Sequence, residues 1–328
     1  MRAAYYERTG PAREVIQVGE VPTPEPAPGE VRVRLACSGV NPSDVKSRAG
    51  LRSRDLPFPR IVPHSDGAGV IDRVGEGVPA ARVGERVWVW NAAWKRAFGT
   101  AAQYVVLPAA QAVLLPPGVP FDAGACLGIP ALTALHAVRV DGGVDGKSVL
   151  VTGGAGAVGH YAVQMAKMAG ARRVMATVSS EAKAMLALQA GADEVIDYRH
   201  DDVAAHVLRL TGNEGVDRVI EVDFAANVHT SLAAVRPEGD IVVYGSGKPE
   251  IAVPFFPSIL KNVRLRFFIV YNLAAADRAA AVGQLTSWLR EGRLQHVVGV
   301  RLPLDSIAEA HELVETGHAA GNVVLQIP

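Results

Sequence analysis

The period of the apolar positions changes along this chain and divides it into three stretches. Up to about residue 122, apolar and polar residues alternate over short runs. These are Val31-Arg-Val-Arg-Leu-Ala36, Gly67-Ala-Gly-Val-Ile-Asp-Arg-Val74, Glu85-Arg-Val-Trp-Val-Trp90 and Ala102-Gln-Tyr-Val-Val-Leu107. A period of two turns one face of a strand to a core and the other to water. Turns at Gly75-Glu-Gly77 and Val83-Gly-Glu85 separate the middle runs, and Pro22, Pro24, Pro26 and Pro28 make an extended connector ahead of the first. Short strands with so many breaks predict a compact, barrel-like β domain.

From about 123 to 265 the pattern becomes alternating strand and helix. Strands are expected at 149–152, 173–178, 194–197, 216–221 and 240–245, with helices at 131–140, 160–168, 181–190, 203–210 and 227–235. This order predicts a parallel, doubly wound sheet. The last stretch offers a strand at 267–271, a helix at 279–291, another ending at Val314, and a closing strand at 323–327. It is too short of strands to stand alone, so it is expected to complete the first domain. The expected division is therefore 1–122 with 266–328, and 123–265 as an insertion.

The opening strand of the middle stretch runs into Gly154, Gly156 and Gly159, spaced G-x-G-x-x-G, with a helical pattern after them. The first glycine allows the tight turn, the second lets a pyrophosphate approach the backbone, and the third lets helix and strand pack closely. The phosphates would meet free N–H groups at the positive end of the helix. Dinucleotide sites for NAD usually carry an acid roughly 20 residues on, at the end of the second strand. Here that place reads Thr177-Val-Ser-Ser180, then Glu181 and Lys183. Hydroxyls and an ammonium suit a 2′-phosphate, which favours NADP(H); Lys183 as a plain solvated helix residue is the competing reading.

Composition narrows the class. At 328 residues, with 49% hydrophobic and 20% charged positions, the chain has the make-up of a soluble globular protein with more than one core. Lys+Arg and Asp+Glu are equal at 33 each, so no net field draws in nucleic acid or an anionic membrane. The two cysteines, Cys37 and Cys126, form no C-x-x-C pair and suggest a reducing compartment. No apolar run approaches the ~20 residues of a membrane span. The start, Met1-Arg-Ala-Ala-Tyr-Tyr, lacks the apolar core of a signal peptide, so a cytoplasmic location is expected.

Two further stretches carry candidate chemistry on loops beside strands: 39–50, with Asn41, Asp44 and Lys46, and 63–69, with His64 and Asp66. By composition alone Asn41, Ser43 and Asp44 are ordinary cap and turn residues. The wider order of motifs changes their weight. Asn41-Pro-x-Asp44, Ser65-Asp-Gly-Ala-Gly69, Gly84-Glu-Arg-Val87, Gly128-Ile-Pro-x-x-Thr133, the glycine loop, Leu188-Gln-Ala-Gly-Ala192 and Gly245-Ser246 stand in an order that resembles the zinc-independent quinone oxidoreductases (ζ-crystallin type) of the medium-chain dehydrogenase/reductase superfamily. The resemblance spans essentially the whole chain.

It implies an α/β protein with a GroES-like, β-rich catalytic domain built from both chain ends, a Rossmann domain between them, and NADPH in the cleft. Gly154, Ala155, Gly156, Ala157, Val158 and Gly159 are then expected at the pyrophosphate, and Ser179, Lys183 and Tyr198 at the 2′-phosphate. Asn227, Gly245, Ser246, Gly247 and Lys248 should line the adenine and nicotinamide side, with Phe268, Ile269 and Val270 at the nicotinamide. Asn322 stands where many relatives carry Lys or Arg, so a contact is weakened or lost there. The places of the zinc ligands in related alcohol dehydrogenases hold Asn41, Ser65 and Ile129, with Asp66 at a neighbouring Glu place and His64 one position out of step; the four cysteines of a structural zinc lobe are missing. A tetrahedral N/S site cannot be assembled from this set, and no metal is expected. Asn41 and Asp44 would orient the acceptor. Lys46 replaces a tyrosine of the relatives, and either stabilises charge on the acceptor or faces solvent. The implied activity is NADPH-dependent reduction of a quinone or conjugated carbonyl, with an alkenal or enone reductase as the nearest rival. A structural or RNA-binding ζ-crystallin-like role is the rival of another class, which the absence of a basic stripe opposes. Relatives are commonly homodimers or homotetramers.

Overall fold

Runs of β-branched residues and glycine breaks resolve into fifteen strands in the computed structural model, which describes all 328 residues. In chain order they are β1 (Arg2–Tyr5), β2 (Gln17–Glu20), β3 (Glu30–Val40), β4 (Asp66–Val74), β5 (Arg86–Val89), β6 (Tyr104–Pro108), β7 (Ala112–Leu114), β8 (Ser148–Val151), β9 (Arg173–Val178), β10 (Glu194–Asp197), β11 (Val216–Glu221), β12 (Val235–Val243), β13 (Arg264–Phe267), β14 (Val298–Pro303) and β15 (Asn322–Gln326). They fall into two compact units, Met1–Pro130 with Val282–Pro328, and Ala131–Ala281.

In the first unit β3 is the spine. It pairs antiparallel with β4, β6 and β15, and the sheet runs β14-β15-β3-β4-β5-β7. The alternating side chains Val31, Val33 and Leu35 meet Ile71, Val87, Val89, Val105 and Leu107 in one buried core. The closing strand β15 adds Val323 and Leu325 to a second core with Ala3, Ala4, Val62, Leu304 and Ile307. Both chain ends thus build one unit.

The second unit is a six-stranded, all-parallel sheet in the order β10-β9-β8-β11-β12-β13. Numbered from β8 this is 3-2-1-4-5-6, the doubly wound order whose crevice lies where the strand order reverses, beside β8 and β11. Strands buried on both faces read as unbroken apolar runs; Leu150, Met175, Val219 and Ile241 sit in its core.

Three expectations change. The apolar run 267–271 is not a strand: β13 ends at Phe267 and Val270–Asn272 is a single 3₁₀ turn. Because β13 pairs with β12 (Val243 beside Phe267), this segment belongs to the parallel sheet, and the units divide at Ala131 and Val282 rather than at 123 and 266. The stretch after Asn41 is a helix, Pro42–Arg48, and not a loop: Pro42 at its first position has a fixed φ suited to a helix start.

Candidate active site

The glycine loop follows β8 directly. Gly153 N donates to Thr177 Oγ1 and Gly154 N to the Thr177 carbonyl, both at 2.9 Å, tying the loop to the end of β9. A Cβ on Gly154 would lie 2.5 Å from the Ala176 Cβ, and one on Gly159 only 2.1 Å from the Gly153 oxygen. Side chains are excluded from both places, so loop, strand and helix can touch. Gly156 is the residue before the helix Ala157–Met168 and offers no capping side chain. The first-turn N–H groups, around Ala157 and Val158, are left for an outside acceptor. Ala155 is buried under the turn. The cradle fits a dinucleotide pyrophosphate.

Beside it, Glu221 ends β11, fully buried. Its carboxylate accepts from Thr152 Oγ1 (3.0 Å), Asp223 N (2.7 Å), Asn227 Nδ2 (2.9 Å) and Ser231 Oγ (2.7 Å). The Asn227 amide, expected toward the cofactor, is committed to this carboxylate. Nothing in the local pattern around Glu221 marks it; its partners come from three elements.

At the ends of β9 and β10, Ser179 is buried, and Ser180 caps the helix Glu181–Gln189 by accepting from Lys183 N. Tyr198 N bonds the Val178 carbonyl at 3.1 Å, which sets Tyr198 beside Ser179 with its ring more than half exposed. No acid ends β9, while Thr177 spends its hydroxyl on the glycine loop. After β12, Ser246 closes a turn on Lys248 and Gly247 N donates to Asp223 Oδ1 at 2.7 Å, with Gly245 at the head of the turn. Phe268 N bonds the Val243 carbonyl, its ring lies 4.6 Å from that of His136, Ile269 is half-buried and Val270 is buried. Asn322 belongs to β15 in the other unit, and its Nδ2 donates to the Val297 carbonyl at 3.0 Å.

The second cluster lies within the first unit. Antiparallel register sets Gly39 opposite Asp66, so the end of β3 and the start of β4 deliver Asn41 and Asp66 side by side. Asn41 Nδ2 donates to Asp66 Oδ2 at 2.9 Å, and Ile129 N donates to the same oxygen at 3.0 Å. Asp44 Oδ2 accepts from Asn41 N at 2.9 Å. Asn41, Asp44 and Asp66 are all buried. Burial, reinforced by Asp44, pushes the Asp66 carboxyl well above the usual carboxylate range, and burial lifts Asp44 to about 7. With two N–H groups on Oδ2, the proton of a neutral Asp66 sits on Oδ1, which has no partner and faces Gly128, where a Cβ would come within 2.3 Å. Lys46 lies half-buried on the same helix. Asp44 therefore caps the helix and steadies Asn41, its carboxyl engaged on Asn41 N as the Asn41 amide is on Asp66.

The structure also joins residues that no local pattern pairs. Ser38, Thr100 and His311 form a buried hydrogen-bonded chain with His64, which lies 247 positions before His311.

A parallel 3-2-1-4-5-6 sheet with a glycine cradle at its switch point defines a dinucleotide-dependent dehydrogenase or reductase. Comparison with known proteins agrees. Residues 27–117 match the model of the alcohol dehydrogenase GroES-like domain, and residues 157–287 that of the zinc-binding dehydrogenase. A quinone oxidoreductase of Lama guanicoe is 30% identical over 99% of this chain and 97% of its own length. Among solved structures, an NAD-dependent alcohol dehydrogenase superposes with TM-score 0.92 at 33% identity, covering 100% of both chains. The quinone oxidoreductase of Escherichia coli complexed with NADPH superposes at 0.87 with 25% identity, covering 99% of this chain and 100% of that one. The chain belongs to the medium-chain dehydrogenase/reductase superfamily, among its quinone oxidoreductases. It is an oxidoreductase of the nicotinamide-dependent type.

Zinc, which one of these descriptions implies, does not fit the residues present. Ile129 brings an alkyl side chain to a ligand place, Asn41 and Asp66 are bonded to each other, and His64 spends its two nitrogens on Ser38 and His311. No group of three or more His, Cys, Asp or Glu residues is placed to hold a metal ion.

Proposed function

We propose that this chain is an NADPH-dependent, zinc-independent reductase of quinones and other electron-poor carbonyls. The observation that carries the reading is the donor set around Asn41, where a carboxamide, a hydroxyl and an alkyl group replace the ligands an alcohol-polarising metal needs. A bound nicotinamide supplies hydride, and a strongly polarised acceptor accepts it without a Lewis acid. The chain's own part is to bind and orient. The loop 154–159 takes the pyrophosphate; Ser179, Lys183 and Tyr198 take the 2′-phosphate; Gly245, Ser246, Gly247, Lys248, Phe268, Ile269 and Val270 line the nicotinamide side. Asn41, fixed by Asp66, orients the acceptor oxygen, and Lys46 or water returns the proton. The working form is a homodimer, and the two buried thiols suit a reducing cytoplasm.

The test is NADPH oxidation with 9,10-phenanthrenequinone, 1,4-benzoquinone and 2-alkenals in parallel. Quinone turnover supports the reading, turnover of alkenals alone favours double-bond reduction, and turnover of none refutes it.

A further inference from the structure

His64 is held at φ 77°, in the left-handed region that residues with a Cβ avoid. Such an outlier persists only where its surroundings over-determine it. What surrounds His64 is a hydrogen-bonded chain with a single possible direction. Thr100 Oγ1 lies 2.5 Å from the Asp66 carbonyl, which can only accept, so the Thr100 proton points there. Ser38 Oγ, 2.8 Å from Thr100 Oγ1, must then donate to it. Ser38 is left to accept at its other contact, 2.9 Å from His64 Nδ1, so His64 carries its proton on Nδ1 and leaves Nε2 bare. His311 Nε2, 2.9 Å away, therefore donates to His64 Nε2, and His311 Nδ1 is left unprotonated and without a partner. The ring centroids are 5.2 Å apart with planes inclined by only 24°, the arrangement of imidazoles joined edge to edge. Ser38, His64, Thr100 and His311 are all fully buried.

The chain links two distant pieces of the first unit. His311 lies on the helix Ile307–Thr316, and His64 on the turn that leads, two residues later, into Asp66. We propose that His64 and His311 are positioning residues of the acceptor site: joined as neutral imidazoles, they hold the turn that presents Asp66 Oδ2 to Asn41. This rests on the reading of Asn41 as the acceptor-orienting group. Burial keeps both rings neutral, since it drives His64 down to about 3 and His311 well below the ordinary histidine value. The charged group bearing on the pair is Arg48, from the helix Pro42–Arg48, itself paired with Glu315 at 2.8 Å; it opposes a proton on His311. Asp44 and Asp66, the carboxyls at the Asn41 end, are held on Asn41 and on Ile129 N.

The test compares His311→Leu, which lacks the donor, with His311→Gln, whose amide N–H can supply one. The Asn41 side-chain amide ¹H–¹⁵N resonance reads the Asp66 bond without any turnover. It is expected to shift in His311→Leu and to return toward wild type in His311→Gln. In kinetics, His311→Leu raises the KM for 1,4-benzoquinone at least tenfold while the Kd for NADPH stays within twofold. If His311→Leu does not fold, His64→Gly, whose relieved left-handed strain offsets part of the lost packing, is expected to show the same Asn41 shift and KM change. An unmoved Asn41 resonance in a folded variant, or a His311→Gln no better than His311→Leu, overturns the proposal. Wild type without turnover but with the amide response counts against the proposed reaction alone.

Discussion

Asp44 is a carboxyl that its surroundings prefer neutral. Burial lifts it from the ordinary Asp value to about 7, against the pull of its bond from Asn41 N. The folded state therefore holds a proton that the unfolded chain gives up near pH 4. The sign follows from linkage: this contribution to stability is complete below about pH 4 and is lost as pH rises through about 7. Asn keeps an acceptor for Asn41 N but cannot ionise. Urea unfolding at pH 5.5 and 8.5 is thus expected to show Asp44→Asn gaining about 2 kcal/mol on wild type between the two pH values. An equal pH dependence in both proteins would remove Asp44 as the source. Lys183 is the other residue whose role separates two readings. As a 2′-phosphate ligand, its replacement by Ala should raise the Kd for NADPH about tenfold to a hundredfold and leave NADH nearly unchanged, because a charge-assisted bond is worth about 1.5–3 kcal/mol. Equal losses for both cofactors in a fluorescence titration would leave it a solvated helix residue.

Among the elements, the helix Leu132–Arg139 shows how the parallel sheet anchors what surrounds it. Arg218, on β11 and fully buried, donates to the carbonyls of Ala137 and Val138 at 3.1 Å and pairs with Asp240 of β12 at 2.6 and 3.0 Å. One guanidinium thus satisfies the C-terminal carbonyls of a helix and a buried carboxylate together. Arg218→Met leaves both unsatisfied, with only the more exposed Arg264 still near Asp240 at 3.3 Å. It is expected to cost about 3–5 kcal/mol in urea unfolding, and Arg218→Met with Asp240→Leu to recover part of that. A loss below ~1 kcal/mol would show that water replaces the cap.

The same elements show what a sequence displays. The parallel strands β8 to β12 were legible as apolar runs punctuated by glycine, the inner ones β8, β9 and β11 being buried on both faces, and Gly154 and Gly159 were legible because no side chain fits there. Asn41 and Asp44 were legible twice over, as caps and as candidate chemistry, and the structure has them capping. Phe267 to Tyr271 misled because an apolar run looks alike in a strand and in a buried turn; the turn at Val270–Asn272 depends on tertiary contacts. Arg218, Glu221 and His311 were invisible for a related reason. Each has a partner 22 to 247 positions away (Asp240, Thr152 and His64 in turn), and no local spacing encodes such a bond.

At the scale of the whole molecule, one surface is out of keeping with a solitary chain. The parallel sheet ends at β13, whose outer edge pairs with no strand. Just before it, the helix Phe255–Leu260 buries none of its residues, and Phe255, Phe256, Ile259, Leu260 and Phe267 are each more than half exposed. An open strand edge beside an apolar patch invites pairing, and the two arginines of β13 are drawn back onto acids of their own chain, Arg264 to Asp240 and Arg266 to Asp141. A second copy about a two-fold axis meets the requirement, because an isologous contact matches the patch with itself. With the two-fold axis between Leu265 and Arg266, antiparallel pairing of β13 with its own copy would set Arg264 against Phe267 and Leu265 against Arg266, the register in which no like charges face each other. Multi-angle light scattering at micromolar concentration is accordingly expected to give the mass of two chains. Phe256→Asp with Leu260→Asp should give the mass of one, while the circular dichroism and NADPH affinity of each chain persist. A wild type with the mass of a single chain, or a doubly substituted protein that stays paired, would place the contact elsewhere or deny it.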